Sequence, residues 1–392
     1  MVSKSLKEVV LKPITGEWGT EGDNVQILRT TNFTNEGRVN YLKVVERNVD
    51  SNKIEKKKLK IGDIIIEKSG GSPKQPVGRV VFFEKEGVFL CNNFTAILRP
   101  KVDEVVPKYL LYILYCNHKF GFTSAYQNKT TGIINLQLPK YLEGTKIPLP
   151  PLDQQKKIAS ILDAADAYKQ KTKALIKKYD ELTQSLFLDM FGELEGDKVS
   201  LSSICEINPK KSQISSLDRS LKVSFVPMTN VSEEGGLSLV EERTIDDVWS
   251  GFTYFQEDDV VFAKITPCME NGKGTIMRGL KNKIGFGTTE FHVLRPTNKV
   301  SCSEYLFYLT HSTHFRVLAE LNMKGSAGQK RVPKDFFDRY KVVAPSIALQ
   351  NQFAERVQAI EAQKAQAQAS LVQAEDLFNS LLQRAFKGEL TA

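Results

Sequence analysis

Residues 153–191 read DQQKKIASILDAADAYKQKTKALIKKYDELTQSLFLDMF, and this stretch decides the fold. It contains no proline or glycine and is rich in Ala, Lys, Gln and Leu, which favour a helix. Its apolar or mostly apolar positions are Ile158, Ile161, Ala165, Tyr168, Thr172, Leu175, Tyr179, Leu182 and Leu186. This alternation of steps of three and four predicts one long helix with a coiled-coil seam.

A second stretch with the same pattern lies near the carboxyl end, at residues 349–386. Its seam consists of two rows with sevenfold spacing: Phe353, Ile360, Ala367, Ala374 and Leu381, with Val357, Lys364, Leu371, Phe378 and Ala385 beside them. A helix of about 40 residues is roughly 60 Å long, too long to bury its seam in one small domain. We therefore expect the two helices to pair antiparallel within the chain; homo-oligomerisation through them is the alternative.

The chain also repeats itself at an offset of about half its length. The matches at an offset of 196 are Asp63 with Asp259, Leu98-Arg99-Pro100 with Leu294-Arg295-Pro296, Tyr109 with Tyr305, and Gly132 with Gly328. Further on the offset becomes 195, as Ile158-Ala159 matches Phe353-Ala354 and Ser185-Leu186 matches Ser380-Leu381. An ordered series at nearly one offset indicates duplication.

Each half begins with short β-type runs, continues through a short helix and a proline-rich stop, and closes on its long helix. These patterns predict an α+β fold with a pseudo-twofold internal repeat. Two similar domains of short strands and helices are separated by two long helices that form an antiparallel intramolecular coiled coil. The predicted boundaries are 1–150 and 195–346 for the globular domains and 151–194 and 347–392 for the long spacer helices.

Composition narrows the class of protein. The chain has 392 residues, 41% of them hydrophobic and 26% charged, which is typical of a soluble globular protein. Its net charge of +8 suits a polyanionic partner, although many basic proteins bind no nucleic acid. The five cysteines are scattered, and no apolar run has the length of a signal peptide or a membrane span, so we expect a cytoplasmic protein.

Sequence motifs of catalysis are missing. Gly272-Lys273-Gly274-Thr275 lacks the upstream glycine of a phosphate-binding loop, and no Asn-Pro-Pro-Tyr-like segment of an adenine methylase occurs. His311 and His314 could share a helical face as metal ligands, but a surface pair at a helix end is the favoured interpretation. We therefore predict a chain with no catalytic residues, metal or cofactor of its own.

Polar loops at matching places in the two halves carry the chemistry of recognition. In such loops the side chains of Lys, Arg, Ser and Thr bind phosphates, and those of Asn, Gln, Arg and Lys form hydrogen bonds with base edges. The candidate DNA-binding residues are Lys74, Arg79, Gln127, Lys129, Thr130 and Thr131 in the first half, and Lys264, Thr266, Lys273, Lys324, Ser326, Gln329, Lys330 and Arg331 in the second. For each loop a solvated surface turn is the alternative. Because the two sets differ in sequence, the two halves should read different half-sites.

Several stretches of the chain resemble a known family. Residues 147–159, IPLPPLDQQKKIA, resemble the entry to the long helix of type I restriction-modification specificity subunits, and Ser185–Gly192 resembles its end. Ala385–Leu390 resembles the carboxyl end of these proteins, and Lys264–Lys273 with Ile284–Phe291 is similar to a common kind of their target-recognition domain. The chain departs from the pattern at Ser346-Ile347-Ala348, where a second proline and an acidic residue are missing.

This resemblance implies a non-catalytic subunit with two target-recognition domains on double-stranded DNA, each reading one half of a bipartite, asymmetric site. The helices, here represented by the spacer residues Ile158, Ala165, Leu175, Leu182, Leu186, Phe353, Ile360, Leu371, Phe378 and Leu381, would set the spacing and dock two methyltransferase subunits. Those subunits would carry S-adenosylmethionine, and restriction subunits would bring ATP and Mg. A self-sufficient methyltransferase or nuclease and a coiled-coil scaffold without DNA specificity are the rival interpretations.

Overall fold

The structure is a computed structural model that describes residues 2–128, 133–238, 241–326, 328–387 and 389–390. The chain divides into two compact units, the first formed by residues 1–173 and 369–392 and the second by residues 174–368. Each long helix therefore gives one half of its length to each unit. The predicted domain boundaries at 150, 194 and 346 stay a prediction.

The first unit is built from short strands and helices that precede the first long helix. The strands are β1 (Ser3–Ser5), β2 (Ile14–Thr15), β3 (Thr20–Leu28), β4 (Val45–Asn48), β5 (Ile64–Glu67), β6 (Ser69–Gly71), β7 (Val80–Phe82), β8 (Phe89–Cys91), β9 (Thr95–Leu98), β10 (Gln127–Asn128), β11 (Ile134–Leu136) and β12 (Lys146–Pro148). The helices are α1 (Leu6–Val9), α2 (Ser51–Lys57), α3 (Pro107–Lys119), α4 (Leu138–Gly144) and the long α5 (Leu152–Phe191).

The second unit is built in a similar way. Its strands are β13 (Lys198–Ser200), β14 (Cys205–Ile207), β15 (Lys222–Val226), β16 (Glu241–Thr244), β17 (Thr253–Gln256), β18 (Val260–Ala263), β19 (Gly274–Ile276), β20 (Ile284–Gly287), β21 (Phe291–Pro296) and β22 (Lys341–Val343). Its helices are α6 (Ile245–Val248), α7 (Ser303–His311), α8 (Thr313–Leu321) and α9 (Phe336–Arg339), and the long α10 (Ile347–Lys387) follows.

Sheet topology confirms the duplication. The orders β2-β9-β5-β7, β4-β3-β8 and β1-β12 of the first unit correspond to β14-β21-β18-β19, β16-β15-β20-β17 and β13-β22 of the second. The sheet β4-β3-β8 contains the parallel pair β3 with β8, and the sheet β16-β15-β20-β17 contains the parallel pair β15 with β20. The strands β5 and β18 are buried along their whole length, and their residues are apolar except for Glu67 at the end of β5.

The two long helices pack on each other antiparallel. In the first unit the ammonium of Lys169 on α5 lies 4.4 Å from the ring of Phe378 on α10. In the second unit the rings of Phe187 and Phe353 are 5.6 Å apart. A residue near the carboxyl end of α5 thus contacts a residue near the amino end of α10, and the helices run in opposite directions. The predicted antiparallel intramolecular pair is confirmed.

The predicted seam of α10 coincides with its buried face, whereas the seam of α5 lies one residue further along the chain. Of the predicted spacer residues, Ile158, Phe353 and Phe378 are buried, Ala165, Leu186, Ile360, Leu371 and Leu381 are half-buried, and Leu175 and Leu182 are exposed. The prediction is wrong for Leu175 and Leu182, whose exposed fractions are 42% and 50%. Ile158 and Thr172 of the predicted seam are buried, and the other buried positions of α5 are Gln155, Ala159, Leu162, Asp166, Lys169, Thr183 and Phe187.

Ion pairing explains why polar residues occupy that buried face. The Lys169 ammonium lies 2.8 Å from a carboxylate oxygen of Asp166, and the guanidinium of Arg38 bonds the other oxygen. The equivalent lysine of α10, Lys364, lies 2.5 Å from the carboxylate of Asp180. A buried charge is tolerated when it is paired in this way.

A buried ion pair recurs at matching positions of the two units. The guanidinium of Arg99 donates twice to the carboxylate of Asp63, both at 2.8 Å. Arg295 donates in the same way to Asp259, at 2.8 and 2.7 Å. Both carboxylates are 1% exposed. The residues that mark the repeat in the sequence are therefore bonded to each other in the structure.

A buried glutamine anchors each long helix to its globular part. The side-chain oxygen of Gln155 accepts from the amide of Val106, which caps the amino end of α3, at 2.9 Å. Its amide nitrogen donates to the carbonyl oxygens of Pro150 and Glu104 at 2.9 and 3.2 Å.

Gln350 repeats this arrangement at the start of α10. It accepts from the amide of Cys302 at 3.0 Å and donates to the carbonyl oxygens of Pro345 and Val300, both at 2.9 Å. The proline-rich entry to each helix thus ends in the same three hydrogen bonds, although residues 346–348 depart from the pattern of the first half.

We expect Gln155→Ala to lower the free energy of unfolding of the first unit by about 2–4 kcal/mol, because a buried amide and two carbonyls lose their partner. Urea unfolding measures the change. Gln154→Ala is the matched control, since that neighbour is half-buried and should cost below about 1 kcal/mol. Equal effects of the two substitutions would contradict the anchoring role of Gln155.

Candidate nucleic-acid interface

The two polar loops of the first unit meet in one small sheet of order β10-β11-β6. This sheet joins the segment that follows β5 to the segment around Gln127, and the amide of Leu136 donates to the carbonyl oxygen of Lys68 at 2.8 Å. Lys74 is exposed. The side chain of Gln127 donates to the carbonyl oxygen of Val77 at 3.0 Å, so it ties one loop to the other. Lys129, Thr130 and Thr131 lie outside the described residues.

The guanidinium of Arg79 is bonded within the first unit. Its guanidinium donates to both carboxylate oxygens of Glu67, at 2.8 and 3.1 Å, and to the carbonyl oxygen of Thr30 at 3.3 Å. The side chains of Arg79 and Glu67 are 12% and 6% exposed. The side chain of Arg79 is therefore largely buried, and it is bonded to Glu67 at the end of β5.

The corresponding loops of the second unit also lie side by side. The amide of Thr266 donates to the carbonyl oxygen of Lys330 at 3.1 Å, and the amide of Val332 donates to that of Lys264 at 2.9 Å. Lys324 and Arg331 exchange both backbone hydrogen bonds, at 2.9 and 2.8 Å. Two stretches that are about 60 residues apart in sequence thus form one continuous surface.

The side chains on this surface differ in how accessible they are. Lys324, Ser326, Gln329 and Lys330 are exposed, whereas Lys264, Thr266, Lys273 and Arg331 are half-buried. The hydroxyl of Thr266 donates to the carboxylate of Glu270. Burial lowers the pKa of Lys264. Of the exposed members, Lys324 places its ammonium 3.5 Å from the carboxylate of Asp335.

Sequence reasoning missed the residues that hold these loops from below. Glu67 and Glu290 each bind the guanidinium of a candidate arginine, and His292 donates from Nε2 to the carbonyl oxygen of Val332 at 2.8 Å. Nothing in the local sequence marks these three residues, because their partners are 12 to 41 residues away along the chain.

The two candidate metal ligands lie on two successive helices. His311 ends α7 and donates from Nδ1 to the carbonyl oxygen of Phe307 at 2.9 Å, whereas His314 lies on α8. The expected surface pair is wrong for His311, because its ring is half-buried and packs at a tilt against the ring of Phe307, with centroids 3.9 Å apart. Within the described residues, no group of three or more His, Cys, Asp or Glu side chains could hold a metal ion.

This arrangement can bind and discriminate, since it presents ammonium, amide and hydroxyl groups on rigidly paired loops. Such groups form ion pairs with phosphates and hydrogen bonds with base edges.

In the part of the chain that the structure describes, every helix is too short or too polar to cross a membrane.

Residues 21–183 and 194–373 each match the family model Methylase_S, the type I restriction modification DNA specificity domain. The two matches correspond to the two halves of the repeat and cover most of the 392 residues. The chain belongs to the type I restriction-modification DNA specificity domain family.

Curated relatives have names that agree with this membership. The chain is 42% identical over 148 residues to the Type I restriction enzyme EcoEI specificity subunit of Escherichia coli, covering 38% of this chain and 24% of that protein. It is 35% identical over 257 residues to the EcoAI specificity subunit of Escherichia coli, covering 60% and 42%. The matched parts therefore span about a quarter and about two fifths of these relatives.

A solved structure shows the same fold along nearly the whole chain. It is described as the structural basis underlying complex assembly and conformational transition of the type I R-M system. The TM-score is 0.57 at 15% identity, and the match covers 99% of this chain and 98% of the other. This likeness confirms the predicted α+β architecture with its duplicated domains.

Proposed function

We propose that the chain is the DNA-recognition subunit of a type I restriction-modification enzyme and has no catalytic residues of its own. Two target-recognition domains, residues 1–150 and 195–346, read the two halves of a bipartite, asymmetric site on double-stranded DNA. The helices at 151–194 and 347–392 act as the spacer. One observation carries the proposal: each unit brings its two polar loops together, and the two loop sets differ in sequence.

The exposed loop side chains would do the reading. Lys74 would contact the first half-site, and Lys324, Ser326, Gln329 and Lys330 the second, with Lys264, Thr266 and Lys273 at the edge of that surface. Gln127 and residues 129–131 belong to the same candidate set in the first unit. Lysine and glutamine supply hydrogen bonds to purine edges, and lysine also neutralises phosphates.

The partners would be two methyltransferase subunits carrying S-adenosylmethionine and restriction subunits using ATP and Mg, in the cytoplasm. Adenine modification requires the base to leave the helix, and binding energy from this chain would support that distortion. Family membership and the similarity to a chain of a type I assembly support this part of the proposal.

A methylome tests the function. The chain is co-expressed with its methyltransferase subunit in a host that lacks N6-methyladenine, and single-molecule sequencing records the new modification. We expect a gapped, asymmetric motif with one methylated adenine in each half. A soluble complex that adds no methylation would contradict the proposal and favour a scaffold, and methylation by this chain alone would favour a self-sufficient enzyme.

A matched variant connects the motif to the loops. Lys324→Ala with Lys330→Ala should relax or weaken one half of the motif only, at about 1–3 kcal/mol for each base-reading side chain. The other half should stay as in the wild type. An unchanged motif at unchanged affinity would show that these lysines are solvated surface residues.

A further inference from the structure

Glu290 and Arg331 form a bidentate ion pair at the base of the second unit's loops. The Nε of Arg331 donates to one carboxylate oxygen of Glu290 at 2.8 Å, and an Nη donates to the other at 2.9 Å. The remaining Nη donates to the carbonyl oxygen of Gln329 at 3.0 Å. All three nitrogens of the guanidinium are therefore bonded within the chain.

The same arginine is the point at which both loops of the unit are joined. Its backbone exchanges two hydrogen bonds with Lys324, and the next residue, Val332, donates to the carbonyl oxygen of Lys264. The amide of Lys264 in turn donates to the carbonyl oxygen of Glu290 at 2.8 Å. Glu290 thus holds one loop through its backbone and the other through its carboxylate.

The first unit has an equivalent pair built from other positions. The amide of Glu67 donates to the carbonyl oxygen of Arg79 at 2.8 Å, the amide of Gly78 donates to the carbonyl oxygen of Glu67 at 3.0 Å, and the side chains of Glu67 and Arg79 form the bidentate ion pair described above. From Glu67 to Glu290 is 290 − 67 = 223 residues, and from Arg79 to Arg331 is 331 − 79 = 252 residues. Neither equals the repeat offset of about 196, so each unit reaches the same arrangement independently.

These pairs compete with a role in reading bases through the same donors. An arginine that reads guanine places two N–H donors on O6 and N7. Here the donors on Nε and one Nη are bonded to a carboxylate, and releasing them would leave that carboxylate unpaired beside the phosphates of DNA. The exposed neighbours Gln329 and Lys330 meet no such competition.

We propose that Glu67 and Glu290 are positioning residues, which act through Arg79 and Arg331 to fix the shape of each unit's recognition loops. This inference rests on the proposed function. It assigns a structural role to the Nε side of both arginines and assigns the reading to the exposed side chains that the paired loops present. Each pair then controls the half-site of its own unit and leaves the other half-site unchanged.

Charge reversal separates a positioning role from a contact with DNA. Specific DNA affinity and the methylation motif are measured for Glu290→Arg, for Arg331→Glu and for the two combined, each in complex with the methyltransferase subunit. The single variants should lose specific affinity by roughly 10- to 100-fold and relax one half of the motif. The double variant should return to within about threefold of the wild type, because the reversed pair restores the bond.

Two further variants keep the test decisive if the reversals do not fold. Glu290→Gln should weaken discrimination in the same half of the motif, while its matched control Glu241→Gln, on an exposed pair with Arg243, should not. A double variant as defective as Arg331→Glu alone, or a Glu290→Gln variant with the wild-type motif, would overturn the positioning role. A wild-type chain without any motif would instead overturn the proposed function.

Discussion

Replacing Asp259 with alanine is expected to lower the free energy of unfolding of the second unit by about 3–5 kcal/mol. The reason is that Arg295, whose side chain is 18% exposed, would keep its charge and lose the carboxylate that binds it twice. The amide of Gln256 would also lose its acceptor, since it donates to the same carboxylate at 2.7 Å.

The two tryptophans of the chain allow this effect to be measured in one unit at a time. Trp18 lies in the first unit and Trp249 in the second, so a Trp18→Phe background reports on the second unit by fluorescence and Trp249→Phe on the first. Asp259→Ala should move the urea transition seen by Trp249, and Asp63→Ala the one seen by Trp18. A shift below about 1 kcal/mol would mean that the pair does not stabilise its unit.

A double variant tests whether the loss comes from the unpaired charge. Asp259→Leu combined with Arg295→Met removes both charges and should destabilise less than Asp259→Ala, because no buried guanidinium is left without a partner. If the double variant were the less stable of the two, the ion pair itself would be the source of stability.

The duplicated fold was predictable because the pairs that repeat in the sequence are bonded in the structure. Asp63 with Arg99 and Asp259 with Arg295 recur at one offset, since each needs its partner on a neighbouring strand. The bounds of the long helices were also predictable: residues 153–191 form nearly all of α5, and residues 349–386 lie within α10.

The register of the first helix could not be read from hydropathy. Leu175 and Leu182 fit an apolar seam, yet the face that is buried carries Asp166 and Lys169. Those charges are buried because Arg38, 128 residues away, supplies a partner. A pattern of apolar residues has no information on such long-range pairing.

The candidate interface was predictable in part, for the same reason. Loop composition selected the exposed Lys74, Lys324, Gln329 and Lys330, but it could not distinguish them from Arg79 and Arg331. That distinction depends on Glu67 and Glu290, which become visible only when the strands bring them beneath the loops. Residue type indicates what a side chain can bind, and the fold decides whether its donors are free.

Acidification should destabilise the second unit through its buried histidine. Burial lowers the pKa of His292 from 6.5 to about 4. The ring is 3% exposed and packs between Phe262 and Phe337. Its Nδ1 accepts from the side-chain nitrogen of Asn208 at 3.1 Å, and that amide is fixed because its oxygen accepts from the amide of Val293 at 2.9 Å. A proton on Nδ1 would therefore face a donor.

The sign of the effect follows from proton uptake. Between pH 6.5 and about 4 the unfolded chain holds a proton on this histidine that the folded chain does not, so the free energy of unfolding rises with pH in that window. The contribution is complete above pH 6.5 and is lost as the pH falls through 4, amounting to about 3 kcal/mol. His311, whose pKa burial also lowers to about 4, adds a loss in the same direction.

Two measurements check this prediction. The chain has four histidines, so NMR can follow each Hε1 signal, and the signal removed by His292→Gln should titrate near pH 4 in the wild type. In urea unfolding, His292→Gln should be less stable at pH 7 and should show a flatter pH dependence between pH 4 and 6.5. Since His292 holds the carbonyl of Val332, DNA affinity of the second unit should fall only as the pH approaches 4, where the folded chain takes up this proton. A His292 signal that titrates near 6.5 would show that the ring takes up its proton without cost, and the acid sensitivity of the loops would then need another source.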